Sequence, residues 1–185
     1  MRYTNLLLIV LLSVFFSNNV VSEENIISEL QKGGKIIFIR HALAPGNGDP
    51  KNIDLKDCST QRNLDSRGIE QSKKIGEFFS KNKIPIDLVL SSEWCRCKDT
   101  AKYAFGNFKE FSALNSTYTP PYDQNEKQQI EDLKKYVNNW NGKGGNLVLV
   151  THYVIILAIT GETTRSGELV ITDKNFKVLS TINTF

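Results

Sequence analysis

The sequence predicts an α/β protein of three layers, with a mostly parallel central sheet and helices on both of its faces. Three observations carry this. Ile36-Ile37-Phe38-Ile39 and Leu147-Val148-Leu149-Val150 are unbroken apolar runs, the pattern of strands buried on both faces. Segments with apolar residues at helical spacing alternate with such runs and stop at Gly or Pro. Both runs also lead straight into a histidine, at Arg40-His41 and Thr151-His152, and open α/β sheets hold their chemistry at the carboxyl ends of strands.

The first 22 residues read as a signal peptide. Met1-Arg2, the apolar run Leu6 to Leu12 extended through Val14-Phe15-Phe16, and a polar stretch ending in Val20-Val21-Ser22 have that layout, with cleavage after Ser22. The run is shorter than the roughly 18–20 apolar residues of a membrane span. Residues 23–185 then form one domain, exported to the periplasm or secreted, with no membrane attachment after cleavage.

Within that domain, Ile26, Ile27 and Leu30 line one side of a short helix from Glu23 to Lys32, stopped by Gly33-Gly34. The first strand runs from Lys35 to His41. Residues 42–57 are rich in Pro, Gly, Asn and Asp, a long loop of the kind that lies over a site. Asp65 caps a helix from Ser66 to Lys81 that turns Ile69, Ile75, Phe78 and Phe79 inward. Pro85 ends it, and Ile86 to Leu90 is the second strand. Trp94 to Phe105 is a helix ended by Gly106, and Phe108 to Leu114 a short strand. Asn115 to Gln124, with Pro120-Pro121, is a second irregular loop. Ile130, Leu133, Val137 and Trp140 mark the next helix, ended by the glycine-rich stretch at 141–145. After the strand at Leu147 to Val150, Val154 to Ile159 is helical. Glu168 to Thr172 and Phe176 to Ile182 form a final pair of strands about a turn at Asp173-Lys174-Asn175, an antiparallel edge to the sheet.

The formal net charge of +3 is too weak to point to nucleic acid. Three cysteines, Cys58, Cys95 and Cys97, in an exported chain suggest one disulfide and one remaining thiol. A bridge from Cys58 to either of the others ties the loop after the first strand to the segment after the second. Zinc hydrolysis is disfavoured, because only Cys95 and Cys97 lie at close ligand spacing and they flank an arginine.

His41 and His152 are the only histidines, and both stand at strand ends. Arg40 adjoins the first, Arg62 precedes the helix over the first loop, and Arg96 begins the helix after the second strand. Guanidinium groups bind phosphate through paired, planar hydrogen bonds and keep their charge, so their convergence makes a phosphate cradle. Arg67 and Arg165 read as surface residues.

Arg40-His41-Ala42, the block from Ser91 to Ala101 (S-S-E-W-C-R-C-K-D-T-A) and Val150-Thr151-His152 resemble the three motif blocks of the histidine phosphatase, or phosphoglycerate-mutase-like, superfamily. Gln61 to Gly68 matches the segment that opens the next helix, and T-Q-R-N-L with the upstream Cys58 resembles a group of small exported bacterial members. The resemblance implies the phosphoglycerate-mutase-like fold and phosphoryl transfer without metal or cofactor. It implies His41 as nucleophile, with Arg40, Arg96 and His152, joined by Arg62, on the phosphoryl oxygens. The implied partner is a small phosphorylated substrate or a phosphoprotein.

Three departures bear on this reading. Ala42 stands where the first block usually has Gly. The glutamate that serves as proton donor in the mutase-like branch is absent from Leu114-Asn115-Ser116-Thr117, and Tyr153 stands where another branch has an aspartate. By placement Glu93 is the remaining candidate donor, with Asp123 a weaker one. The alternative is a non-catalytic protein of the same fold that binds a phosphorylated ligand.

Overall fold

Six strands join in one sheet in a computed structural model that describes residues 23–184; the signal peptide expected over residues 1–22 lies outside them. In chain order the elements are α1 (Glu23–Gln31), β1 (Ile36–Arg40), α2 (Ser66–Lys81), β2 (Ile86–Ser91), α3 (Cys95–Phe105), β3 (Lys109–Glu110), α4 (Glu126–Asn139), β4 (Asn146–Thr151), α5 (Tyr153–Thr160), β5 (Leu169–Thr172) and β6 (Val178–Ile182). Short 3₁₀ turns occupy Cys58–Thr60, Ser112–Leu114 and Tyr122–Asn125.

The spatial order is β3-β2-β4-β1-β5-β6. The first four strands are mutually parallel. The pair β5 and β6 adds an antiparallel edge against β1. Successive residues of each central strand point to opposite faces, and both faces are covered. Ile37, Ile39, Val148 and Val150 pack under α1, α2 and α3 through Ile26, Leu30, Ile75, Phe79 and Ala101. Ile36, Phe38, Leu147 and Leu149 pack under α4 and α5 through Leu133, Val137, Ile155 and Ile156. This is why the runs are continuous in sequence: no position in them faces water. Each such side chain contributes about 1.5–3 kcal/mol when fully buried.

Asp65 caps α2 as expected, its side chain accepting a hydrogen bond from the Gly68 N–H at 2.9 Å. The inward face differs by a step from the expected one. Ile75 and Phe79 are buried, whereas Ile69 and Phe78 are half-buried and Gly68 and Ser72 take the buried places. Close approach explains this. A Cβ at Gly68 would lie 2.1 Å from the Leu43 carbonyl oxygen, and one at Gly76 2.2 Å from that of Ala104. Helix α2 therefore lies directly on the chain leaving β1 and on α3.

Two strand boundaries also shift. Phe108 to Leu114 pairs as a strand only at Lys109–Glu110, because the following residues coil into a 3₁₀ turn whose Leu114 carbonyl accepts the Thr151 hydroxyl at 2.6 Å. Phe176 has φ 63° and belongs to the turn, so β6 starts at Val178.

The disulfide joins Cys58 to Cys95, and Cys97 is a buried free thiol. Cys97 faces the sheet, with Sγ 3.6 Å from the Thr151 carbonyl oxygen. Its neighbour two residues earlier is left to meet the loop. Burial pushes the Cys97 thiol pKa up to about 12, which leaves it protonated and unreactive.

Trypsin cuts after Arg96 and so separates the two candidate partners of Cys58. Non-reducing peptide mapping should recover Cys58 joined to Cys95, with Cys97 alkylated only after unfolding; a Cys58–Cys97 peptide contradicts the structure. Cys58→Ser should destabilise the protein by about 2–4 kcal/mol in denaturant unfolding.

Candidate active site

Strand register brings the two histidines together. Arg40 of β1 is the partner of Thr151 of β4 in a parallel ladder, so the next residue of each strand emerges at the same edge. The His41 and His152 rings lie 5.4 Å apart, edge to face. The His41 N–H donates to the Thr151 carbonyl at 2.9 Å, and the Gly167 N–H donates to that of Arg40 at 3.0 Å. The Ala42 N–H donates to Thr100 Oγ1 at 2.9 Å, and that hydroxyl donates to the Arg96 carbonyl at 2.7 Å. The backbone behind His41 is thus tied to β4 and α3. Ala42 is not among the residues with positive φ, which is why a methyl group is accommodated where the motif usually carries Gly.

Hydrogen-bond partners assign the ring protons. His41 Nδ1 lies 2.8 Å from the Ala42 carbonyl oxygen. A carbonyl only accepts, so Nδ1 carries the proton and Nε2 keeps its lone pair. His152 Nδ1 lies 3.4 Å from Arg96 Nη2, which only donates. Its proton is therefore on Nε2, directed to Ser92 Oγ at 3.0 Å. Ser92 completes a consistent chain by donating its own hydroxyl to Asn115 Oδ1 at 3.1 Å.

Both rings are buried and neutral. Burial is the main reason that the pKa of His41 falls well below its ordinary 6.5, reinforced by the Arg96 guanidinium and opposed by the Ala42 carbonyl. His152 is lowered well below the same value by burial, then by Arg96 and His41.

Arg40, His41, Arg62, Arg96 and His152 line one cavity of about 260 Å³, walled on the loop side by residues 43–49 and elsewhere by Ser116, Tyr118, Tyr153 and Ser166. Arg40 donates through Nη1 to the Thr164 carbonyl at 2.5 Å, and its guanidinium lies 5.3 Å from the Tyr153 ring centroid. Arg62 donates to the carbonyls of Ala44 and Gly48, so it holds the loop as well as facing the cavity. Burial lowers the pKa of Arg40 and of Arg62, while a guanidinium remains charged at any working pH. The Nε groups of Arg40 and Arg96 are buried without a hydrogen-bond partner. Donors left in that state are unusual, and both arginines line the cavity.

Five of the six expected site residues converge. Glu93 does not. Its carboxylate accepts from Asn115 Nδ2 at 2.5 Å and borders a separate cavity with Lys98, Glu110 and Tyr122. Side chains alternate as the chain leaves β2: Ser92 points in to His152 and Trp94 is buried, which sends Glu93 outward. Asp123 is exposed in a 3₁₀ turn and does not line the cavity. The carboxylate that does line it is Asp49, from the long loop. Asp49, Ser92, Thr100 and Asn115 went unpredicted, since each takes its role from a contact distant in sequence. The single hint for Asp49 was its position in a loop placed to cover the site.

Comparisons with known proteins bear on the family and the fold. The family model of the histidine phosphatase superfamily (branch 1) matches residues 36–116, the stretch that carries Arg40, His41, Arg62 and Arg96. The structure of the protein histidine phosphatase SixA complexed with tungstate is similar at a TM-score of 0.56 and 13% identity, over 81% of this chain and 97% of that one. A phosphoglycerate mutase from Thermus thermophilus is similar at 0.56 and 17% identity, over 80% and 98%. At these identities the likeness is one of fold. No curated protein matches the sequence. The chain is thus similar to the histidine phosphatase superfamily over residues 36–116 and shares the fold of these structures.

Proposed function

We propose that this protein is an exported phosphatase that hydrolyses phosphomonoesters or phosphohistidine through a covalent intermediate on His41. The observation that carries the reading is the state of His41: neutral, protonated on Nδ1 by its bond to Ala42, and facing an arginine-lined cavity with an Nε2 lone pair. Export is supported by the layout of residues 1–22 and by the Cys58–Cys95 disulfide, a bond at home in oxidising compartments.

In the proposed reaction the Nε2 lone pair attacks phosphorus, and the bond to the leaving group breaks with its electron pair. Arg40, Arg62 and Arg96 hold the non-bridging oxygens and offset the charge that shifts during transfer. A phosphoryl dianion beside His152 reverses the local charge that keeps that ring neutral. It thereby favours a proton on Nδ1, which then donates to a phosphoryl oxygen. Water next attacks phosphorus, breaks the P–N bond and releases inorganic phosphate. No step calls for a metal, and activity is expected to survive a strong chelator.

Proton donation to the leaving group is the step with fewest candidates. Asp49 is the carboxylate lining the cavity, and both its oxygens are engaged by other donors. This supports substrates whose leaving group departs without a proton, such as phosphohistidine or acyl phosphates. It also fits the alternative of a phospho-ligand-binding protein that does not turn over.

Rapid quench of the mature chain into alkaline denaturant, which preserves the acid-labile P–N bond, should trap phosphate from a labelled acyl phosphate on His41, which decides between those two readings. His41→Ala should lower hydrolysis by at least about 10³-fold, and activity within about tenfold of the parent sinks the nucleophile assignment. Across a series of substrates, kcat/KM should fall steeply as leaving-group pKa rises; a flat profile argues for a true general acid. Because the folded-state pKa of His41 is depressed, its lone pair persists as pH drops through 6.5. The acid-side loss of kcat/KM, corrected for the substrate's own phosphate ionisation, should therefore lie below that pH. A loss centred at or above 6.5 contradicts the buried, neutral nucleophile.

A further inference from the structure

The Asp49 side chain is only 8% exposed, and each of its carboxylate oxygens receives two donors. Oδ1 accepts from Arg96 Nη1 at 2.8 Å and from the Arg62 backbone N–H at 3.1 Å. Oδ2 accepts from Arg96 Nη2 at 3.0 Å and from the Trp94 indole N–H at 3.2 Å. The two Arg96 contacts form one fork on the end of the guanidinium. Its side edge, made of Nε and the outer N–H of Nη2, takes no contact from Asp49. There Nε is buried without a partner, and Nη2 stands 3.4 Å from Nδ1 of His152.

We propose that Asp49 is a positioning residue, which occupies the end edge of Arg96 and so fixes the side edge toward the phosphoryl group beside His152. The inference rests on the phosphoryl-binding reading of the cavity. Arg96 is 3% exposed, and a guanidinium buried to that degree without a counter-charge is strongly unfavourable. Its planar fork fits a carboxylate on one edge and a phosphoryl group on another at the same time. The loop that delivers Asp49 is itself held on both sides. Arg62 ties down Ala44 and Gly48, and the Cys58–Cys95 bridge anchors its far end one residue before Arg96. Asp49 is not arranged as a proton donor, because all four of its acceptor directions are filled.

The test is a double-mutant cycle on the mature, disulfide-bonded chain, comparing the parent with Asp49→Asn, Arg96→Ala and both together. Affinity for inorganic phosphate is read by calorimetry, and hydrolysis with aryl phosphates of graded leaving-group pKa. Asp49→Asn should weaken phosphate about tenfold in the parent and cause no loss in the Arg96→Ala background. Its effect on hydrolysis should be the same factor for every leaving group. Equal losses in both backgrounds, tighter phosphate binding by Asp49→Asn, or a loss that grows with leaving-group pKa would each overturn the proposal. They would mean, respectively, support of the loop alone, competition for Arg96, and proton donation. A measurement without substitution guards against a variant that fails to fold. On phosphate addition the Arg96 Nε–H resonance should shift; an Nε–H that does not respond overturns the inference. The phosphate cycle needs no turnover, so a parent that shows this coupling and yet hydrolyses nothing refutes the phosphatase reading and leaves the role of Asp49 standing.

Discussion

The parallel pairing of β1 with β4 is the constraint on which the rest of the molecule depends. Parallel strands end at the same edge of a sheet, and the register of Arg40 with Thr151 delivers His41 and His152 side by side. A slip of one residue would turn the apolar set of β1 to the opposite faces and part the two rings. Because both faces of β1 are apolar, the register is held by the fit of particular side chains, Ile36 and Phe38 in one helical layer and Ile37 and Ile39 in the other. The same hydrophobic packing that stabilises the sheet therefore aligns the site.

Around that pair the electrostatics are arranged by burial. Burial, reinforced by the nearby guanidinium groups, pushes both rings toward neutrality, which leaves Nε2 of His41 with a free lone pair. A cluster of buried cations is unfavourable by itself, and part of its charge is answered internally by Asp49 on Arg96. The remaining donors, including two unpartnered Nε groups, are what an anionic ligand would complete.

The loop over residues 42–57 links these two levels. It has little regular structure of its own and depends on contacts at its borders: Gly68 of α2 under Leu43, Arg62 on Ala44 and Gly48, Asp49 on Arg96, and the disulfide from Cys58 to Cys95. Each tie reaches an element that also carries a site residue or adjoins one. The loop consequently forms a wall of the cavity, and its composition is tuned to turns and contacts more than to a core.

Much of this was legible in the residues alone. Continuous apolar runs report strands buried on both faces whatever their order in the sheet, and a histidine directly after such a run must emerge at the strand's carboxyl end. The fold class, the convergence of His41 with His152, and the recruitment of Arg40, Arg62 and Arg96 followed from local pattern and motif. What only the tertiary structure decided were matters of side-chain direction and distant pairing. Glu93 and Ser92 are neighbours in sequence, yet alternation turns one out to Asn115 and the other in to His152. Cys95 and Cys97 were equivalent partners for Cys58 until the packing of α3 turned Cys97 into the sheet. Asp49 became part of the site because its loop folds back across 47 positions to meet Arg96, a contact between residues whose local sequences carry no trace of each other.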